Sequence, residues 1–269
     1  MKVAIYNNNE PRTLQARQHL IQLLKQHNIQ VDDTCPDLII SIGGDGTLIG
    51  TFHHYESFIH TVPFVGIHTG HLGFYTDWHV NQLDDFVDLI AHKKPELFDC
   101  PLIKVTIYYL DGRIQSYHAL NEATVRKSNG HTQVSDVYID QQFLEEFRGD
   151  GLCFSTPTGS TAYNKSIGGA IVGPEIKAFQ MAEIASLNNV VYRTLTSPVL
   201  IPDFRTVHVK LHNPHHTLVT VDQTIITNPV QQIEFTMDNQ IFKLACYHQE
   251  NFWQRVQAAF IGQTPSPKE

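Results

Sequence analysis

No run of about 18 apolar residues occurs in the 269-residue chain, so no membrane-spanning helix is expected. The four cysteines, Cys35, Cys100, Cys153 and Cys246, are scattered and form no CxxC pair. That excludes the usual spacing of a zinc site or a disulfide scaffold and fits a reducing cytosol. There is no HExxH. His53–His54 and His215–His216 are adjacent pairs that point apart on any regular element, so the sixteen histidines read as surface or partly buried groups, not as a metal centre. The net charge is −8, which leaves no basic field for a nucleic acid. Met1 to Glu10 holds one Lys and a short apolar run before three Asn, so no secretory signal is expected and the location is expected to be cytoplasmic. Internal repeats and low-complexity segments are absent.

Hydrophobic residues make up 42% of the chain and charged residues 17%, the balance of a chain that buries a core. A polyanionic substrate would gain nothing from the overall negative field. Backbone N–H groups, a few placed cations and a metal ion would have to hold it.

Strand and helix patterns alternate through the first 99 residues. Lys2–Tyr6, Asp37–Ser41 and Pro63–Ile67 are short apolar runs that predict strands. Thr13–His27, Gly46–Tyr55 and Asn81–His92 carry apolar residues at helical spacing. This order predicts an N-terminal α/β domain with an open, mainly parallel sheet. From 100 to 248 the signals are those of a β-rich domain. Ile103–Tyr109, Val134–Ile139, Val207–Leu211 and Leu218–Val221 alternate, and Asp111-Gly112 marks a turn. Gln232–Thr236 and Ile241–Cys246 read as two strands flanking Asp238-Asn239, and Ala178–Leu187 as one helical interruption. Asn251–Ile261 predicts a final amphipathic helix, followed by a frayed tail.

Four segments carry residue types suited to chemistry. The first, Ser41-Ile-Gly-Gly-Asp-Gly-Thr47, leads a buried strand through three glycines into a helix. Gly43 and Gly44 would bring backbone close to phosphate oxygens, and the N–H groups at a helix start hold such oxygens. Asp45 is then the odd member. It suits a proton acceptor for an attacking hydroxyl or a carboxylate bridged by a metal ion, and equally a helix-capping residue. The second, Gly66 to Tyr75, is another glycine-rich turn after an apolar strand. Its Phe74 suits stacking on a base or nicotinamide ring, or plugging a loop. The third is Leu120-Asn121-Glu122, whose polar pair suits ribose hydroxyls or a base edge. The fourth runs through Arg148-Gly-Asp150-Gly and Ser155-Thr-Pro-Thr158-Gly-Ser-Thr161-Ala162-Tyr163-Asn164-Lys165-Ser166, dense in hydroxyls and glycine. Gly159, Lys165 and Ser166 also fit a phosphate-binding loop GxxxxGK[ST], with Asn164 where that loop has its second glycine. The β-rich surroundings argue against it.

Together these segments resemble the bacterial NAD kinase family. GGDGT at 43–47, HTGHLGF at 68–74, LNE at 120–122, RGDGL at 148–152 and STPTGSTAYNKSIGGA at 155–170 appear in the family's order, and Arg193–Pro198 resembles a further segment. GGDG by itself is shared with lipid and sugar kinases. The resemblance implies the two-domain fold, with a last helix at 249–262 returning to the first domain. It implies transfer of the γ-phosphoryl group of ATP, another triphosphate or polyphosphate to the 2′-hydroxyl of the adenosine ribose of NAD, giving NADP. It also implies Mg²⁺ or another divalent cation and a homotetramer. It places Asp45 as the proton acceptor, with Gly46 beside it. Asn121 and Glu122 fall on the adenosine contacts, Thr161 to Ser166 on the segment that holds the dinucleotide, and Arg148, Asp150, Ala185 and Gln223 on further binding positions. The remaining alternatives are a lipid or sugar kinase sharing GGDG, a non-catalytic NAD(P) sensor on the same scaffold, and a P-loop NTPase using Lys165.

Overall fold

The computed structural model describes residues 1–247 and 252–262. The expected helix start at Asn251, the start of the returning segment at 249 and the expected tail at 263–269 lie outside the described residues. Two compact units divide the chain: Met1–Cys100 with Ile241–Glu269, and Pro101–Gln240.

In the first unit, strands β1 (Lys2–Asn7), β2 (Gln30–Val31), β3 (Leu38–Ile42), β4 (Phe64–His68) and β5 (Trp78–His79) run parallel in the order β2-β1-β3-β4-β5. All five residues of β3 and of β4 are buried, as continuous apolar runs require when helices cover both faces. Helix α1 (Pro11–Gln26) starts two residues earlier than the spacing suggests, because Pro11 occupies its first position, where a missing N–H costs nothing. It buries Ala16, Leu20, Leu23 and Leu24. Helix α2 (Asp45–His54) follows β3 directly, and α3 (Leu83–His92) buries Leu83, Phe86, Val87 and Ile90. A short helix near the end of the chain, Phe252–Phe260, packs its aromatic residues on Phe74 of this unit.

The second unit is built of antiparallel strands around a single core. β6 (Glu96–Tyr109) and β7 (Ile114–Ala119) form a hairpin whose turn contains the expected Asp111-Gly112, with Gly112 at φ +87°. β8 (Glu122–Lys127), β9 (Gln133–Ile139), β10 (Gln142–Gly149) and β11 (Gly151–Ser155) follow. A single four-residue helical turn, α4 (Tyr163–Ser166), comes next. β12 (Ala178–Ile184), β13 (Val199–Pro202), β14 (Val207–Leu211), β15 (Thr217–Val221), β16 (Thr224–Ile226) and β17 (Val230–Cys246) complete the strands. One sheet has the order β13-β12-β11-β8-β15-β16, and β10-β9-β14-β17 lie side by side in the other. Phe154 of β11 stacks on Phe235 of β17 with ring centroids 3.7 Å apart, which ties the two layers together. The near-terminal helix Phe252–Phe260 is hereafter α5.

Two expectations are corrected. Ala178–Leu187 is not a helix: Ala178–Ile184 is a strand paired on both sides, with β11 and with β13. Its Ala, Gln, Met and Glu favour helices, but six of its seven residues are buried between neighbours that supply ladder partners. Gln232–Thr236 and Ile241–Cys246 are not separate strands either, but parts of the continuous β17. Its early residues pair antiparallel with β14 and Leu244 pairs parallel with Phe64, so Asp238-Asn239 marks no reversal. No described helix is long and apolar enough to cross a membrane.

Candidate active site

In the first unit the glycine-rich turn delivers Asp45 at the start of α2. Gly43 has φ +151°, and a Cβ there would overlap the Thr47 side chain, so glycine is required. At Gly44 an added Cβ would meet nothing within 4 Å, so the backbone stands open for a close-approaching group. Gly44 caps α2 through its carbonyl, which accepts from Thr47 N (2.9 Å) and Leu48 N (3.2 Å). The Asp45 carboxylate, in the first turn of α2, reaches to the second glycine-rich turn. Its Oδ2 accepts the Phe74 N–H at 2.7 Å and its Oδ1 accepts the Tyr75 N–H at 3.0 Å. The two glycine-rich turns therefore meet at this carboxylate. Gly73 lies so close that any Cβ would overlap it. The Phe74 ring rests on Phe252 (6.0 Å) and nearly parallel to Phe260 (5.8 Å), so the plug reading describes its packing.

The second unit assembles Asn121, Glu122, the Ser155–Ser166 segment and one residue that the spacing gave only as a neighbour. Asp222 sits at φ +50° in the β15–β16 turn. Its carboxylate accepts three consecutive backbone N–H groups, from Leu120 (2.8 Å), Asn121 (2.8 Å) and Glu122 (3.1 Å). Gln223, the predicted residue, is exposed beside it. The available signal was an acid directly after an alternating strand, where a tight turn needs a side-chain acceptor.

Glu122 is mostly buried, and its Oε2 has no hydrogen-bond partner among the described residues. Burial first, then the charge of Asp222, pushes its carboxyl up from 4.5 to about 7, against the Tyr163 backbone N–H, which pulls it down. Such a group holds its proton near neutral pH and responds to whatever approaches it.

The hydroxyls in which the fourth segment is dense are largely spent on the loop itself. Thr156 Oγ1 donates to Leu120 O (2.7 Å), Ser160 Oγ to Pro157 O (2.6 Å) and Thr161 Oγ1 to Thr158 O (3.3 Å), while Thr158 Oγ1 lies 3.4 Å from Leu120 O. Gly159 lies against the Asn121 backbone, where a Cβ would overlap it. Asn164 is buried, and its Nδ2 donates to Ser160 O (3.4 Å) and Ala170 O (3.3 Å). Ala162 and Tyr163 are partly exposed, and Lys165 and Ser166 are exposed. The P-loop alternative fails on this geometry. Its strand is antiparallel, its helix is a single turn, and Asn164 fills the glycine position with an inward-pointing amide.

Arg148, Asp150 and Ala185 form a separate group. Arg148 donates to Glu146 Oε1 through Nε (2.8 Å) and Nη2 (2.7 Å) and lies 4.4 Å over the Tyr192 ring. Asp150 is exposed, and Ala185, at φ +45°, follows β12. Gly151 pairs with Arg126 at one end of β11 and Ser155 with Glu122 at the other. Four residue steps of strand, about 13 Å, thus separate this group from Glu122. The structure does not bring all the predicted binding residues of the chain together.

The comparisons agree with this architecture. The family models for the ATP-NAD kinase N-terminal domain and the ATP-NAD kinase C-terminal domain match residues 4–94 and 120–247. The chain is 45% identical over 265 residues to an NAD kinase of Enterococcus faecalis, covering 98% of this chain and 100% of that one. It is 44% identical over 264 residues to an NAD kinase of Levilactobacillus brevis, covering 97% and 98%. Two solved structures share the fold at 20% identity. The yeast NADH kinase complexed with NADH has a TM-score of 0.84 and covers 100% of this chain and 90% of that one. An NAD kinase from Archaeoglobus fulgidus in complex with ATP has a TM-score of 0.74 and covers 97% and 98%. With both domain models matched and full-length relatives at this identity, the chain belongs to the NAD kinase family.

Proposed function

We propose that this NAD kinase transfers the γ-phosphoryl group of ATP, or of another triphosphate or polyphosphate, to the 2′-hydroxyl of the adenosine ribose of NAD, with Asp45 as the acceptor that orients and deprotonates that hydroxyl. The observation that carries this reading is the placement of Asp45. Two backbone N–H groups of the second glycine-rich turn fix this carboxylate at the N-terminus of α2, beside the open backbone of Gly44. Phosphoryl transfer runs through loose transition states, so alignment and charge neutralisation outweigh base strength. The backbone of Gly43, Gly44 and Gly46 faces the phosphates in this reading.

Asn121 and Glu122 take the adenosine ribose and base, and Thr158 and Thr161 to Ser166 shape the wall around them. In the first unit, Phe74 supplies an apolar edge beside Asp45. A divalent cation fits the donor set of Asp45. Each carboxylate oxygen accepts one N–H and keeps capacity for a second interaction, and Mg²⁺ is commonly held by one or two carboxylates plus substrate phosphates. Bound there, it would screen the triphosphate from the carboxylate. The cluster of Asp136, Glu146 and His212, with ligand atoms within 4.8 Å of one another, is remote in sequence from the glycine turns and has no part in this reading.

The enzyme works in this reading as a cytoplasmic homotetramer. The separation of Arg148, Asp150 and Ala185 from Glu122 along β11 supports it, since those residues would then serve a neighbouring copy. Mixed oligomers test this: Asp45→Asn and Asp150→Ala chains, each inactive alone, regain activity on mixing if sites are shared, and stay inactive if they are not.

The reaction is tested with purified protein, NAD, ATP and Mg²⁺, with NADP read by an NADP-specific dehydrogenase, beside Asp45→Asn. NADP from the wild type and a loss of most turnover in a folded variant are expected. A variant with near wild-type turnover would sink the role given to Asp45.

A further inference from the structure

Asp45 is held by a loop that itself needs holding. Residues 69–76 form no regular strand or helix, yet their Phe74 and Tyr75 N–H groups fix both oxygens of the carboxylate. Helix α5 supplies the anchor. Arg255 Nη1 donates to Gly73 O at 2.9 Å and to Thr76 O at 2.7 Å, and its Nη2 donates to Asp77 Oδ1 at 2.5 Å. Asp77 Oδ2 accepts the Tyr247 N–H at 3.1 Å, and Asp77 N donates to Gly66 O at 2.9 Å on β4. The guanidinium thus grips the loop on both sides of the two N–H groups that Asp45 uses. Phe252 and Phe260 of the same helix hold the Phe74 ring between those two grips.

The link to Asp45 is covalently rigid. The carbonyl of Gly73 and the N–H of Phe74 belong to one planar peptide unit. Arg255 binds the oxygen end of that unit and Asp45 binds its hydrogen end. A cation on the carbonyl polarises the unit and strengthens the N–H as a donor. It also fixes the tilt of the plane, and with it the direction of the carboxylate. The Arg255 and Asp77 side chains are 10% and 7% exposed, so this is an ion pair shielded from water that places several donors in one geometry.

We propose that Arg255 is a positioning residue for the phosphoryl transfer: from α5 it sets the orientation of the Asp45 carboxylate through the Gly73–Phe74 peptide. This rests on the reading of Asp45 as the acceptor and adds a role for α5 to it. The sequence signal was a lone cation among the aromatic positions of an amphipathic helix, which reads as an ordinary surface residue until the loop is seen against it.

The experiment compares Arg255→Ala, Arg255→Lys and Leu24→Ala, the last a core substitution on α1 that lowers stability without touching the loop. Each is assayed well below its own melting temperature for kcat and for the KM of NAD. A misaimed carboxylate should lower kcat in Arg255→Ala by about 10- to 100-fold, with the KM of NAD within about twofold. Arg255→Lys, which keeps the charge but loses the planar fork, should fall in between. Leu24→Ala should keep the wild-type kcat despite its lower melting temperature. If Arg255→Ala does not fold, Arg255→Lys carries the comparison alone. A wild-type kcat in the Arg255 variants, or a loss that merely tracks the unfolded fraction as in Leu24→Ala, would overturn the proposal. The Asp45→Asn background separates the two ideas. If Asp45→Asn keeps only a small measurable turnover and Arg255→Ala lowers it no further, the two act as one unit. If Asp45→Asn retains near wild-type turnover, the reading of Asp45 fails first. If Asp45→Asn is inactive while Arg255→Ala has full kcat, only the role of Arg255 fails.

Discussion

Replacing Glu122 by Gln should make the ligand-free protein more stable at neutral pH and a poorer enzyme. The carboxyl of Glu122 is pushed up from 4.5 to about 7, first by burial and then by Asp222. Between those two values the folded state holds a proton that the unfolded state has released. Stability therefore falls as pH rises through the window from 4.5 to 7, and levels off above it. At about 1.4 kcal/mol per pH unit, the full cost at pH 8 is about 3 kcal/mol. Gln has the same shape, carries no charge, and removes this cost. At pH 8 the variant should melt higher by roughly 6 °C or more, and at pH 4.5 the two proteins should coincide. Glu145 is pushed up to about 7 by burial and by Glu183 and slopes the same way, so the comparison is the difference between the two proteins and not the wild-type curve alone. Thermal denaturation from pH 4.5 to 8.5 without nucleotide provides the test. Parallel curves for the two proteins would refute the argument, because they would show Glu122 ionising in the fold as it does in the unfolded chain. The KM of NAD should rise in the same variant. Such a trade of stability for function is expected where a binding group is buried with one oxygen left unpartnered.

The other expectations concern the residues that hold the site. Asp222→Asn leaves one acceptor oxygen for three N–H groups and turns an amide donor towards them. Loss of a charge-assisted bond costs about 1.5–3 kcal/mol. We expect the KM of NAD to rise roughly tenfold or more and the pH window of the Glu122 effect to move down, read by steady-state kinetics and by the same melting series. An unchanged KM would show that the Leu120–Glu122 backbone holds its place without Asp222. Gly159→Ala should disturb Asn121 by forcing its backbone aside, at about 1–3 kcal/mol. A melting temperature and NAD affinity equal to wild type would contradict that.

Much of the first unit was legible because its signals are local. The apolar run Leu38–Ile42 and the glycines that follow it dictate a buried strand, a sharp turn and a helix start, and Asp45 falls where that order puts it. The alternating runs of the second unit were equally readable as strands, and the ordered motifs led to the NAD kinase family. What local signals left open was which groups meet. Ala178–Ile184 became a strand because β11 and β13 stand on either side of it, and a strand's partners are not written in its own residues. The threonines and serines of 156–161 looked like ligand groups, yet their partners are carbonyls of their own loop and of Leu120, distant in sequence. Composition determined that the chain folds, and local pattern determined where its turns lie. Only the tertiary structure decided that Asp222 holds Glu122, that burial pushes that acid's carboxyl up to about 7, and that Arg255 reaches Asp45 through a peptide 182 residues before it. Those are properties of distance in space, and hydrogen bonds and desolvation act over a few ångströms whatever the separation along the chain.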